Sequence, residues 1–119
     1  MKKRTIAAAG IALGVMVILA GCVFIGNIHP VASFIATPSS GTGPQLTVSF
    51  DASTSSDADG TIVSYYWDFD DDQTASFVTP AAAHQFTIQS VSQTFRVMLI
   101  VTDNLGAEDQ AVVDVTVNP

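Results

Sequence analysis

From residue 30 onward, apolar side chains fall on every second position over short stretches, and turn residues separate the stretches. Period two belongs to an extended strand with one buried face, because successive side chains leave opposite sides of the backbone. Leu46, Val48 and Phe50 alternate with Thr47, Ser49 and Asp51, and Tyr65, Trp67 and Phe69 share one face of residues 61–69. Phe95, Val97, Leu99 and Val101 alternate too, but Met98 and Ile100 between them are also apolar, which suits a central strand covered on both faces or one beside an interface. Val113, Val115 and Val117 face inward from residues 111–117, and residues 31–37 read as the first strand. Residues 77–79 and 85–88 are shorter strand segments, with Pro80 and Ala81, Ala82 and Ala83 between them as a loop or brief helical turn. Turns are expected at 38–44, rich in proline and glycine, at Asp57-Ala58-Asp59-Gly60 and at Asp103-Asn104-Leu105-Gly106. No helical period competes. The pattern predicts an all-β, seven-stranded sandwich centred on Trp67.

The first 26 residues follow a different rule. Lys2, Lys3 and Arg4 precede an uncharged run from residue 5 to 20, and small residues then lead into Cys22. That order is a secretory signal peptide. Leu19-Ala20-Gly21-Cys22 resembles the lipobox of bacterial lipoproteins, which implies cleavage before a lipid-modified Cys22. The expected division is a signal peptide at 1–21, a lipidated cysteine and short linker at 22–29, and the sandwich domain at 30–119. A rival reading keeps the run uncleaved, since residues 5–26 suffice as a helix to span about 30 Å of hydrocarbon. Either way the basic end stays in the cytoplasm and the domain lies on the extracytoplasmic side of the cell membrane. Two or more acyl chains at Cys22 would hold it there stably.

Charge narrows the partners. From Cys22 onward Arg96 is the only base against eleven acids, a net charge of −10. Such a surface repels phosphate backbones, so nucleic acid is excluded and cations are favoured. A single cysteine allows no internal disulfide, so stability rests on packing and any bound metal.

Several motifs occur together in order: Pro30-Val31-Ala32, Phe50-Asp51-Ala52-Ser53, Ser56-Asp57-Ala58-Asp59-Gly60-Thr61-Ile62, Trp67-Asp68-Phe69, His84-Gln85-Phe86 and Val101-Thr102-Asp103-Asn104-Leu105-Gly106. From about residue 27 to 117 they resemble PKD domains, immunoglobulin-like modules named after polycystin. The family usually continues Trp-Asp-Phe with Gly-Asp-Gly; here Asp70-Asp71-Asp72 puts aspartates in both glycine positions. Gln93 also stands where a glycine often precedes the aromatic of the sixth strand, and Phe86 replaces a common tyrosine.

The resemblance implies a calcium site at Asn27, Asp57, Asp59 and Asp103, hard cations being held by several oxygens. The bland alternative is that Asp57-Ala58-Asp59-Gly60 is turn chemistry, its carboxylates capping backbone amides. Asp68, Asp70, Asp71 and Asp72 are not an EF-hand, because Gln73 and Thr79 occupy that motif's glycine and glutamate positions. Their hairpin either binds a cation loosely or keeps the surface soluble and a sheet edge unpaired. His84, the only histidine within the domain, is expected to be structural, its ring bonding backbone near the Trp67-Asp68 strand. A catalytic role has no frame, since Gly-x-Ser-x-Gly is absent. Tyr66 and Phe77 are candidates for a surface patch contacting protein or sugar, the alternative for Tyr66 being an ordinary half-exposed tyrosine. These features make the expected function non-enzymatic: contact with an extracellular protein or polysaccharide, or a rigid spacer. The alternative is an accessory module helping a secreted protease or glycosidase engage a polymer.

Overall fold

The structure, a computed structural model, describes residues 16–19 and 22–119. The basic N-terminal residues, most of the apolar run and the cleavage-site residues Ala20 and Gly21 lie outside the described residues. Every regular element described is a strand: β1 (Met16–Leu19), β2 (Cys22–Ile25), β3 (Ile35–Thr37), β4 (Ser40–Thr42), β5 (Gln45–Asp51), β6 (Ile62–Asp68), β7 (Thr74–Phe77), β8 (Ala81–Thr87), β9 (Gln93–Asp103) and β10 (Glu108–Asn118). No helix among the described residues is long and apolar enough to cross a membrane.

Strands β1 and β2 form an antiparallel pair on their own. The other eight make a sandwich of two sheets, ordered β4-β10-β9-β6-β7 and β3-β5-β8. The strand count is therefore eight, not seven, because Ser40–Thr42, inside a segment rich in turn residues, pairs parallel to the end of β10. The first strand is also shorter than expected, covering Ile35–Thr37, while Val31 makes only an isolated bridge to Ser56. The segment 77–79 shifts back to Thr74–Phe77, and the alanines belong to β8 rather than to a loop or helical turn.

The inward positions of both sheets meet in one core: Val48, Phe50, Trp67, Phe86, Val97, Leu99, Val101, Val115 and Val117 are fully or almost fully buried. Trp67 sits at its centre, edge-on to Phe34 at 5.0 Å and tilted against Phe50 at 5.4 Å. Edge-to-face and offset contacts suit the ring quadrupoles and contribute beyond area burial. Phe50 is flanked across its sheet by Ala36 and Ala82, whose small side chains leave room for its ring. The Trp67 Nε1–H is buried with no hydrogen-bond acceptor, a cost of about 1–3 kcal/mol that the surrounding aromatic packing offsets. Among the described residues, the buried members of this core lie within residues 34–117, and Ala32 packs against them.

Candidate functional site

One end of the sandwich gathers the β5–β6 connection, the β9–β10 turn and the segment leading in from β2. Asp103 ends β9 and is buried, with 1% of its surface exposed. Its Oδ1 accepts from the backbone N–H of Leu105 at 2.9 Å and of Ala107 at 2.8 Å, closing the turn around Gly106, whose φ of 92° is in the left-handed region. Its Oδ2 accepts from Asn27 Nδ2 at 2.8 Å. Burial alone would raise the Asp103 pKa, but the Asn27 amide and the backbone donors of Ala107, Leu105 and Gly106 outweigh it and hold the carboxyl below its ordinary range.

Asp59 Oδ2 accepts from the Ile28 N–H at 2.9 Å, so Asn27 and Ile28 tether the linker to two separate loops. Asp57 lies between them in the opposite electrostatic condition. Both its carboxylate oxygens are buried without a hydrogen-bond partner. Its pKa is raised by burial first, then by the contact with Asp59 and the charges of Asp103 and Asp59. Gly60 permits this closeness, since a Cβ there would lie 2.3 Å from Asn104 Oδ1 and 2.9 Å from Asp57 Oδ2. Asn104, absent from the sequence-based site, joins the loops: its Oδ1 accepts from Thr61 N–H and its own N–H donates to the Thr61 carbonyl. Its place in the Asp-Asn-x-Gly turn beside Asp103 was the available signal. Asn27, Asp57, Asp59 and Asp103 thus share one end of the molecule. Among the described residues, however, no three Asp, Glu, His or Cys side chains converge as a ready-made metal cluster.

At another point on the sandwich, the β6–β7 hairpin turn of the five-stranded sheet reaches, through Asp71, a residue of β8 in the second sheet. Asp70 and Asp72 have φ of 63° and 66°, the left-handed backbone that glycine adopts most easily. Asp70 N–H donates to Asp68 Oδ1 and Gln73 N–H to Asp71 Oδ1, so the carboxylates stabilise this turn. His84 bonds through Nε2 to Asp71 Oδ2 at 2.6 Å, and not to backbone. Its ring stacks on Phe69 at 4.0 Å and meets Phe86 edge-on. His84 is therefore enclosed between aromatic rings and a carboxylate that joins the sheets.

Tyr66 and Phe77 do not form one patch. The register sets Tyr66 opposite Ser76, and Phe77 opposite the inward Tyr65. Directly paired residues share a sheet face, so the two aromatics leave opposite faces.

Comparison with known proteins fits this architecture. Over 70 residues the chain is 37% identical to collagenase ColQ1 of Bacillus cereus (strain Q1), which takes in 59% of this chain and 7% of the collagenase. The fold is similar to a solved structure from work on promiscuous specificity in carbohydrate-binding modules of the β-sandwich superfamily, with a TM-score of 0.71 and 35% identity, over 78% of this chain and 36% of the other. It is also similar to the PKD1 domain of the Vibrio cholerae metalloprotease PrtV, with a TM-score of 0.58 and 34% identity, over 77% of this chain and 100% of that domain. The chain thus spans a small part of the collagenase and about a third of the carbohydrate-binding structure, but a whole isolated PKD1 domain. With a sandwich of this topology, a loop cluster around Asp103 and a match of residues 27–117 to the PKD domain family, the chain belongs to that family.

Proposed function

We propose that this chain is a non-enzymatic PKD module, held outside the cell by a lipid on Cys22, that contacts an extracellular protein or polysaccharide or acts as a rigid spacer beside the membrane. The observation that carries the reading is the likeness of almost all of the sandwich both to part of a structure from work on carbohydrate-binding modules and to the PKD1 domain of a metalloprotease. A second reading, an accessory module that helps a secreted protease or glycosidase engage an insoluble polymer, is favoured by the collagenase and metalloprotease relatives.

Calcium is proposed as the structural ion of the loop cluster. Asp57 supports this, because its buried carboxylate is crowded against Asp59 and Asp103, and a hard cation there would offset both its desolvation and their repulsion. Asp59, Asp103 and Asn27 would add oxygens, with backbone carbonyls and water completing a coordination of about six to eight. The ion would neutralise the mutual repulsion of these carboxylates and fix the linker at Asn27 and Ile28 to the domain.

The test is a pull-down of the purified protein on collagen, chitin and cellulose, with calcium and with chelator. Retention on one polymer supports contact with that material, and stronger retention with calcium supports the ion's role. Absence from all three would remove contact with these polymers and leave contact with another extracellular protein or the spacer reading.

A further inference from the structure

A sandwich with one face of each sheet in water should read polar on those outer positions, and the five-stranded sheet departs from this. Met98 and Ile100 point outward from β9, the central strand, and are only half-buried. Met98 pairs with Asp68 on one side and Val112 on the other, and Ile100 pairs with Tyr66 and Gln110. Tyr66 and Val112 are 37% and 44% exposed. The result is an apolar strip on a sheet face that no described residue covers. Over Met98 and Val112 lies an open pocket of about 300 Å³, walled by Asp68, Asp70 and Arg96.

We propose that this face docks a lysine- or arginine-bearing segment of an extracytoplasmic polypeptide, a partner class that deepens the binding reading given above and rests on it. The aliphatic stem of the basic residue lies along Met98 and Val112, and its cation meets the carboxylates of Asp68 and Asp70. Long basic side chains combine an apolar stem with a charged head, matching a pocket that has an apolar floor and two carboxylates beside Arg96 on its wall.

Charge selects among occupants. Asp68 and Asp70 each use one oxygen locally, Asp68 Oδ1 for the Asp70 N–H and Asp70 Oδ2 for the Arg96 N–H. No described group donates to their other oxygens. Arg96, the only base after Cys22, is paired with Asp114 at 3.3 Å with both side chains well exposed, so the pair is weak and the guanidinium is free to swing aside. The net charge of −10 from Cys22 onward steers cations toward this surface and repels anionic polymers and a second copy of the chain. A hydrated metal ion has no use for Met98 and Val112, and a neutral glycan gains nothing from the charge.

Residues 27–119 contain every buried core residue among those described and correspond to a PKD1 domain whose structure was solved by itself in a relative, so this fragment serves for the test. Its methyl and amide NMR spectra are followed while adding acetyl-Gly-Lys-Gly-Lys-Gly-amide, the same peptide with glutamine for lysine, or cellohexaose. The lysine peptide should shift Met98, Ile100 and Val112, bind more weakly as salt is raised, and leave the glutamine peptide without effect. Asp68→Asn/Asp70→Asn keeps the local acceptors and suits the left-handed backbone, and should weaken binding about fivefold or more. Met98→Gln should weaken it while leaving the spectrum folded. Shifts centred on Asp57 and Asp59, equal binding of the glutamine peptide, or indifference to the double substitution would overturn the proposal, as would cellohexaose alone occupying the strip. Concentration-dependent broadening of Met98 and Val112 with no peptide response would overturn it in favour of self-association. Failure here with retention on a polymer would sink only this docking mode; failure of both would remove the binding reading as well.

Discussion

Two carboxylates in one loop cluster are held in opposite states, and single substitutions separate them. The raised pKa of Asp57 means that the folded protein binds its proton more tightly than the unfolded chain, so this residue penalises folding increasingly as pH rises through the ordinary aspartate range, in full above the raised value, and the penalty fades as pH falls. Asp103, with a lowered pKa, contributes stability that is present above the ordinary aspartate range and lost as pH falls through it. In chelator at pH 7, Asp57→Asn should therefore raise the Tm and Asp103→Asn should lower it, the latter because an amide would present its NH2 to the Asn27 NH2. If calcium occupies the cluster, wild type gains Tm on adding millimolar calcium and Asp57→Asn does not. An Asp57→Asn protein less stable than wild type in chelator would contradict the orphaned carboxylate. The β6–β7 turn gives a second contrast. Asp72 is left-handed and makes no side-chain hydrogen bond among the described residues, so Asp72→Gly should stabilise by about 0.5–1 kcal/mol in denaturant melts. Asp70→Gly relieves the same strain but loses the acceptor for Arg96 N–H, and should gain less or nothing.

At the scale of elements, the strands carrying large side chains were legible because burial alternates with hydrophobicity: Val48 and Phe50 in β5, Trp67 in β6, Phe95 to Val101 in β9. The second half of β8 was read as a short strand, but its first half was missed because alanine stands on both of its faces. Ala82 is partly buried opposite Phe50 while Ala81 and Ala83 are exposed, so the alternation is real but invisible to a hydrophobicity pattern. β4 was missed because Gly41 and the flanking prolines read as a turn, and only the parallel partner strand makes the segment extended. The candidate site was legible as residue types in two turns, whereas Asn104 and the Asp71–His84 pair depend on contacts between distant segments. That pair links the β6–β7 turn to β8 across the two sheets. With His84 side-chain exposure of 10%, removing Asp71 leaves a ring nitrogen largely shielded from water and without its partner. Asp71→Ala should cost about 1–3 kcal/mol, lowering Tm by about 4–8 °C per kcal/mol in a domain of this size. His84→Phe keeps the stack on Phe69 but loses the bond. The two losses should be less than additive in the double variant, and full additivity in a double-mutant cycle would mean that the bond contributes nothing to joining the sheets.

For the whole molecule, the decisive geometry is the short path from Cys22 to the folded domain. Asn27 is bonded to Asp103 and Ile28 to Asp59, so few residues separate the proposed lipid attachment point from the sandwich. A module anchored at Cys22, as proposed, would stand directly over the headgroups. Its acidic surface gains nothing from anionic lipid, so retention at a membrane would depend on the N-terminal segment. Lipidation and an uncleaved helix both hold the chain in the membrane, so simple fractionation does not distinguish them. Processing does, because cleavage before a modified cysteine requires that cysteine. Wild-type protein from membranes should have residue 22 at its N-terminus and a mass increased by acyl chains, while Cys22→Ala should accumulate at full length, held by its apolar run. Identical unprocessed masses for the two proteins would establish the uncleaved helix instead. Because Asn27 is tied into the loop cluster, calcium should also slow protease cleavage between residues 23 and 29 in the membrane-bound protein. Asp57→Asn should abolish that protection while leaving the membrane fraction unchanged, which separates the proposed ion's role from the anchor's.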